Sequence, residues 1–434
     1  MNTVSFCTLG CKVNQYETEA MMNLFSKAGY KVLSFGEKCD IYVINTCTVT
    51  GMGDRKSRQM IHRAHRLNPD ALVVVAGCYS QVSPDEVKKI DGVGLVVGTA
   101  ERTQIVELAQ RALAERKQLV SVGDIMKKKD YEDMWVTSYS SRTRAFVKIE
   151  DGCVGFCTYC IIPYARGPVR SRPLDSIREE VDSLAKNGYR EIVLTGIHIA
   201  SYGKDGGGHT LLDVIRAVSE TDGIERIRLG SLEPRILTED FVSEISKIDK
   251  MCNHFHVSLQ SGCDETLARM NRRYTTEEYA QGVALLRKYF DLPAIATDIM
   301  VGFPGETDEE FSKSLEFMRR INFADAHVFA YSNRKGTKAD KFEGQVDSRT
   351  KEKRSAVMQA AVNEMADEYR KSYIGKTVEI LAEREVSSGV YEGHMTNYIK
   401  VHAKAGRDIS KKIVSVCIVG QNKDYLEAEC RSGE

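Results

Sequence analysis

Two hydrophobic rhythms divide the 434-residue chain and limit what it can fold into. In the first part, short β-branched runs at residues 4–8, 41–45, 72–76 and 95–97 alternate with helical patterns. These cover 17–28, closed by Gly29, and 54–67, closed near Pro69. Such alternation implies a parallel sheet with helices on both faces. Residues 100–118 read as a further helix, and Lys127, Lys128, Lys129 and Asp130 mark a polar, exposed linker. Strand and helix patterns then repeat at roughly thirty-residue spacing, the length of a βαβ unit. Predicted strands are 145–149, 191–195, 226–229, 254–259, 294–299 and 326–329, with helices between them such as 174–187, which stops before Gly188. Six βα units predict an open, partial version of the (β/α)8 barrel. Beyond residue 374 the helical period gives way to alternation at 378–385, 391–403 and 411–419, punctuated by Gly375, Gly393, Gly406 and Gly420. That pattern fits a small antiparallel barrel of the OB type. The fold class is α/β: an N-terminal parallel α/β sheet domain at 1–125, a central partial (β/α)6 TIM-like barrel at 139–370, and a C-terminal small antiparallel β-barrel at 374–434. Three domains suit a length too great for one hydrophobic core.

The chemistry lies in the cysteines. Directly after the strand at 145–149 the chain reads Glu150-Asp151-Gly152-Cys153-Val154-Gly155-Phe156-Cys157-Thr158-Tyr159-Cys160, a C-x3-C-x2-C triplet. A structural zinc site wants four ligands, and no cysteine or histidine follows within residues 161–190. A four-iron, four-sulfur cluster held by three thiolates keeps one iron open to bind something else. The triplet is read as an iron–sulfur site, with a zinc loop or three packing thiols as the alternative. No apolar run approaches the roughly eighteen residues of a membrane span, and no signal peptide precedes Cys7. A cytoplasmic protein is expected, where reduced thiols make twelve cysteines an argument for metal ligation over disulfides.

Three more cysteines fall just past strand ends in the first domain: Cys11 in Leu9-Gly10-Cys11-Lys12, Cys47 in Asn45-Thr46-Cys47, and Cys78 in Ala76-Gly77-Cys78. Open parallel sheets bind ligands at the carboxyl ends of their strands, so all three could share one rim and a second cluster. Gly10 and Gly77 would let backbone approach it. The competing reading is three buried free thiols in a strand-rich core. Cys7 lies inside the first strand and is read as packing. Cys39, Cys252, Cys263, Cys417 and Cys430 have no partners at ligand spacing.

The C-x3-C-x2-C spacing resembles the signature of the radical S-adenosylmethionine (SAM) enzymes, in which SAM occupies the open iron. Loops after the central strands carry residues suited to that cofactor: Thr195 and Gly196, Ser231 and Glu233, Gln260, and Asp298 with Gly302. Global charge says nothing of nucleic acid, since Lys plus Arg equals Asp plus Glu at 61 each. Local stripes do. Arg55, Arg58, His62 and Arg66 recur every three or four residues, with Met60, Ile61, Ala64 and Leu67 facing the other way. Arg166, Arg170 and Arg172 crowd the loop Ile161-Ile162-Pro163-Tyr164-Ala165-Arg166-Gly167-Pro168-Val169-Arg170-Ser171-Arg172. Arginine contacts phosphates and stacks on bases, so Arg55, Arg58, Arg166, Arg170 and Arg172 are candidate RNA contacts; a solvated charged face is the plainer alternative.

Together, the two cysteine sets and the terminal barrel resemble the methylthiotransferases, two-cluster radical SAM enzymes whose terminal barrel is called a TRAM domain. The similarity covers essentially the whole chain. Thr8 through Glu17, Ile161 through Arg172, Thr195-Gly196-Ile197-His198 continuing to Ser201-Tyr202-Gly203, and His327-Val328-Phe329 with Tyr331-Ser332 look like the branch that modifies threonylcarbamoyladenosine in tRNA. Ala330 stands where that branch would have proline. The resemblance implies methylthio addition at carbon 2 of the adenine beside the anticodon. It implies two [4Fe-4S] clusters, one on Cys153, Cys157 and Cys160 that reduces SAM, and one on Cys11, Cys47 and Cys78 that carries the sulfur. Further partners would be a tRNA anticodon loop, a low-potential electron donor and a sulfur source, with no membrane. Sister enzymes acting on isopentenyladenosine tRNA or a ribosomal-protein aspartate, and a non-catalytic metal-cluster RNA-binding protein, are the alternatives.

Overall fold

The computed structural model describes residues 2–139 and 143–430. Six parallel strands open the chain: β1 (Thr3–Thr8), β2 (Lys31–Leu33), β3 (Ile41–Thr46), β4 (Leu72–Gly77), β5 (Val93–Val97) and β6 (Leu119–Ser121), in the order β2-β1-β3-β4-β5-β6. Strands β3 and β4 are buried along their whole length. Val43 and Val74 pack against helix α1 (Lys12–Lys27), while Tyr42, Ile44, Val73 and Val75 pack against helix α2 (Gly51–Leu67). Burial on both faces is why these strands read as continuous apolar runs. Helix α1 begins at Lys12, five residues before its predicted start, which puts Cys11 at its N-cap.

The central region carries β7 (Arg144–Asp151), a two-residue antiparallel strand β8 (Arg170–Ser171), β9 (Glu191–Gly196), β10 (Arg226–Leu229), β11 (His254–His256), β12 (Ala294–Val301) and β13 (Asp325–Ala330). Parallel pairing joins β7, β9 and β10, and separately β11, β12 and β13. Isolated bridges Ile227–Met251 and Leu232–Val257 connect the two groups. Among the described residues β13 pairs only with β12, so the barrel stays open. The predicted strand at 254–259 is shorter than expected because the register with β12 slips by one residue between His256, opposite Ala296, and Gln260, opposite Ile299.

Alternation along these strands separates two faces. Val147, Ile149, Ile192, Leu194, Ile227, Phe255, Ile295 and Ile299 join one large core with the surrounding helices. Arg144, Lys148, Glu191, Arg228, His256 and Asp298 occupy the other face and pair with one another or with neighbouring elements. The interior of this half-barrel is therefore polar, where a full (β/α)8 barrel is filled with aliphatic side chains.

The expected linker at Lys127, Lys128, Lys129 and Asp130 does face water, and the chain after it packs as a strap: Met134, Val136 and Tyr139 enter the core, and Glu132 binds Arg102.

The terminal barrel is closed, in the order β14 (Thr377–Ser387), β15 (Val390–Met395), β16 (Lys400–Lys404), β18 (Leu426–Cys430), β17 (Ile413–Gln421). The stretch predicted as one strand at 391–403 is two, separated by a turn with Tyr398 at φ +70°. The closing pair β16–β18 is parallel, a departure from the all-antiparallel expectation. This barrel docks on the amino ends of the central strands. Arg144 pairs with Glu383, Arg228 donates to the Thr396 carbonyl at 2.7 Å, and both guanidiniums lie within 5.0 Å of the Tyr398 ring centre.

Candidate active site

The triplet sits where β7 ends. Gly152 takes φ +90°, and a Cβ there would stand 1.9 Å from the Pro168 carbonyl oxygen, so only glycine lets the loop fold back. That return pairs the Cys153 N–H with the Gly167 carbonyl at 3.0 Å. The Cys160 N–H donates to the Cys157 carbonyl at 2.9 Å, and the Gly155 N–H to Cys153 Sγ at 3.3 Å. Thr158 anchors the loop through its N–H on the Met270 carbonyl and its hydroxyl on the Arg269 carbonyl. The Arg272 guanidinium, lying over the Tyr274 ring, donates to Cys157 Sγ at 3.5 Å. Burial pushes the free thiols of Cys153 and Cys160 up to about 11 and about 12, so ligation has to displace a proton from each.

A cleft of about 220 Å3 opens beside Cys153 and Cys157, walled by His198, Glu233, Arg235 and Arg272 among others. Of the predicted cofactor residues, Glu233 lines this cleft. Ser231 lies two residues away, its hydroxyl bonded to Ser258 at 2.7 Å. Thr195 and Gly196 end β9 beside Glu150; a Cβ at Gly196 would lie 2.8 Å from Glu150 Oε2. Gln260 donates its N–H to the Asp298 carbonyl, and Asp298 pairs with His256 at 3.0 Å within the polar interior. Gly302 lies outside the cleft lining: its N–H donates to Glu306 Oε1 and the Lys351 side chain covers it, so its glycine serves a turn. His198 and Arg272 were not among the predicted contacts. The His198 N–H donates to Glu150 Oε2 at 2.7 Å, and burial lowers its imidazole pKa.

The second set of cysteines also gathers on one rim. Cys11 caps α1, Cys47 follows β3 and Cys78 follows β4. A Cβ on Gly10 (φ +100°) would meet Cys47 Sγ at 2.9 Å. Asn14 ties the Cys11 and Cys47 segments together, donating to the Leu9 carbonyl at 2.7 Å and the Thr46 carbonyl at 2.9 Å, and it accepts from Arg166 at 2.7 Å. Arg166 Nε in turn lies 3.3 Å from Cys78 Sγ. Burial, reinforced by Cys11 and Cys47, pushes the Cys78 thiol up to about 11. Cys7 is half-buried in β1 against the apolar face.

Among the described residues no three His, Cys, Asp or Glu side chains converge tightly enough for a single metal ion. Thiolates of a cubane cluster attach to separate irons and need not converge on one point. The donor set fits too: three soft sulfur ligands and one position left open.

The predicted RNA role of Arg166, Arg170 and Arg172 is corrected by their burial, at 0%, 2% and 0% exposure. Arg166 is clamped by Glu17, and it and Arg170 also pair with Asp151; Arg172 pairs with Glu180 and Asp133. Arg166, through Glu17, and Arg172, through the Tyr16 hydroxyl, tie helix α1 to the half-barrel, while Arg170 is held within the half-barrel by Asp151. Arg55 and Arg58 do stand on the exposed face of α2, with Arg58 donating to the Tyr79 hydroxyl.

Residues 147–318 match the family described as the Radical SAM superfamily, and residues 3–98 match the one described as Uncharacterized protein family UPF0004. A Bacillus subtilis protein named threonylcarbamoyladenosine tRNA methylthiotransferase MtaB is 42% identical, the alignment covering 99% of this chain and 96% of that protein. The chain belongs to the radical SAM methylthiotransferases. An Aquifex aeolicus methylthiotransferase of the same name is 38% identical over 94% of this chain and 98% of its own. A Clostridium tetani tRNA-2-methylthio-N(6)-dimethylallyladenosine synthase is 35% identical, with 97% and 95% covered. Among solved structures, the radical SAM methyltransferase TsrM from Kitasatospora setae shares the fold at TM-score 0.58 and 17% identity, over 76% of this chain and 73% of that one. For this methylthiotransferase the sequence reading of the fold class holds, apart from the parallel closure of the terminal barrel.

Proposed function

We propose that this methylthiotransferase adds a methylthio group to carbon 2 of N6-threonylcarbamoyladenosine beside the anticodon of tRNA. The observation that carries the reading is the presence of two three-thiol rims in one molecule, with Arg166, from the loop behind one triad, bonded to a sulfur of the other. Cys153, Cys157 and Cys160 would hold one [4Fe-4S] cluster with SAM in the adjoining cleft; Cys11, Cys47 and Cys78 would hold the second. When bound, these groups supply the one-electron reduction, the carbon-centred radical and the sulfur that replacing hydrogen on an unactivated C–H bond requires.

The chain's own residues have simpler tasks. Glu233, whose Oε1 accepts from Arg235 Nε at 2.7 Å, offers its second oxygen to the ammonium of SAM, and Arg272 offers a donor for its carboxylate. His198 and Arg272 wall the cleft and limit water beside the reacting atoms. The polar interior receives the base. There Lys12, the residue after Cys11, stands 5.9 Å from the Tyr398 ring centre, and His256 stacks near His327. This basic and aromatic lining favours a substituent that ends in a carboxylate, as threonylcarbamoyl does, over an apolar dimethylallyl group. The terminal barrel and the Arg55–Arg58 face are the surfaces assigned to the tRNA stem and loop. A low-potential electron donor, a sulfur source and a cytoplasmic setting complete the proposal; no helix among the described residues is long and apolar enough to cross a membrane.

The test is anaerobic incubation of reconstituted, reduced protein with SAM and tRNA bearing threonylcarbamoyladenosine, followed by nucleoside mass spectrometry and deoxyadenosine measurement. Both products are expected. Deoxyadenosine with no methylthio nucleoside would overturn the substrate assignment; neither product from iron-replete protein would overturn the enzymatic one.

A further inference from the structure

One buried arginine bridges the two triads, and its origin sets it apart. Arg166 ends the short helix Ile162–Arg166 that directly follows Cys160, yet its Nε points at Cys78 Sγ, 3.3 Å away on the opposite rim. It is fully buried. Its other donors are fixed: Nη2 on Asn14 Oδ1 at 2.7 Å and Glu17 Oε2 at 3.0 Å, Nη1 on Glu17 Oε1 and, at 3.3 Å, on Asp151 Oδ2. The guanidinium thus has one arm on a sulfur and the rest held by carboxylates and an amide, a geometry that five fixed donors allow and a lysine ammonium does not.

Charge in this network is uneven. Four buried cations, Arg102, Lys148, Arg166 and Arg170, are ion-paired with three buried carboxylates, Glu17, Glu132 and Asp151. Burial pushes the neighbouring Glu150 carboxyl up to about 8, which favours its neutral form. An unbalanced buried charge is costly, and the sulfur beside Arg166 is the position where a further anion would balance the set.

We infer that Arg166 is a positioning residue for the N-terminal cluster: it hydrogen-bonds the Cys78 thiolate and raises the reduction potential of the cluster that Cys11, Cys47 and Cys78 hold. A cationic donor on a ligand sulfur stabilises the more negative, reduced cluster. Because Arg166 is carried by the loop of the other triad, the electronic state of the sulfur-carrying site depends on how that loop is seated. The inference rests on the two-cluster reading above.

The experiment isolates one cluster. Full-length protein with Cys153→Ala, Cys157→Ala and Cys160→Ala is reconstituted anaerobically with iron and sulfide, and its iron content and midpoint potential are measured by spectroscopically monitored redox titration. Arg166→Gln in this background shifts the midpoint negative, and Arg166→Lys, which keeps the charge, shifts it less. Glu17→Gln removes the opposing charge and shifts the midpoint positive. A purely structural role would lower iron loading in both variants without moving the potential in opposite directions. An unchanged midpoint, or shifts of the same sign, overturns the inference. If Arg166→Gln does not fold, Arg166→Lys, which keeps the charge and removes the Nε–H donor at Cys78, decides by a negative shift against an unchanged midpoint. A parent protein that binds no cluster would instead overturn the assignment of Cys11, Cys47 and Cys78, and the inference with it.

Discussion

Gly77→Ala is the most informative single change at the N-terminal rim. Gly77 links β4 to Cys78 with φ +94° and ψ −161°, a region that only glycine populates. An alanine Cβ there would sit 2.5 Å from Asn45 Oδ1, 2.6 Å from the Thr46 carbonyl oxygen and 2.8 Å from the Thr46 nitrogen. Backbone strain of this kind costs about 1–3 kcal/mol, and forcing a methyl into packed surroundings costs about 1–3 kcal/mol more. The sum, roughly 2–6 kcal/mol, is large against a typical total stability of about 5–15 kcal/mol. Relief can come only by moving Asn45 and Thr46, which precede Cys47, or by moving Cys78 itself. Asn14, whose amide holds the Thr46 carbonyl, transmits the shift to the Cys11 loop. All three thiols are therefore displaced together. Iron content and thermal unfolding are measured in protein lacking the Cys153, Cys157 and Cys160 thiols, where about 1 kcal/mol corresponds to roughly 2–4 °C. Gly29→Ala is the control: φ is +85°, yet nothing lies within 4 Å of the new methyl, so it strains the backbone without touching the rim. The reasoning fails if Gly77→Ala keeps the parent's iron, or if Gly29→Ala loses as much.

Cys157→Ala abolishes deoxyadenosine formation and leaves the N-terminal cluster in place, read as roughly half the iron; Cys47→Ala keeps some SAM cleavage and forms no methylthio product. Normal product from either variant contradicts the assignment. Glu150, whose Oε1 has no hydrogen-bond partner among the described residues and whose Oε2 accepts the His198 N–H, gives a pH signature. Its carboxyl pKa is raised by burial from 4.5 to about 8, so it stabilises the fold fully below about pH 4.5 and progressively less as pH rises through about 8. Glu150→Gln flattens that decline in urea-unfolding measurements; an unchanged pH profile refutes it. Removing residues 374–434 weakens tRNA binding more than it weakens tRNA-independent SAM cleavage, but it also unpairs Arg144 from Glu383 and strips Arg228 of its carbonyl partners. The comparison is therefore made at matched folded fraction, and equal losses of both count against a separate RNA-gripping barrel.

The sequence was most informative where burial is two-sided. Strands β1, β3, β4 and β5 show as apolar runs because helices cover both faces, and their ends locate Cys11, Cys47 and Cys78 without further information. Strands β2 and β6 escaped because three half-exposed residues at a sheet edge carry no period. Strand β18 escaped because a five-residue alternation of leucine, alanine and glutamate resembles a surface loop. The cofactor loops were legible by position at strand ends, but Gly302 shows the limit: a glycine required by a turn reads the same as one required by a ligand.

The arginines of the loop 161–172 failed for a deeper reason, and it bears on how the site is built. Local composition showed three cations with no acid nearby, which reads as a surface for phosphate. Their partners Asp151 and Glu180 sit on β7 and on a later helix of the same half-barrel, brought close only by its folding, while Glu17 sits on α1 and meets Arg166 only when the two α/β regions close on each other. Buried ion pairs recover their desolvation cost only when every partner is present, so this network specifies one docking geometry more than it adds stability. The half-barrel interior follows the same logic. With the strand face polar and one side open, the terminal barrel has to seat Arg144 and Arg228 on Glu383 and on the carbonyls around Tyr398. What the chain gives up in an aliphatic barrel core it recovers as fixed charge between two thiol rims. That arrangement makes Arg166, a residue that looks like a surface contact in the sequence, the link between the two halves of the site.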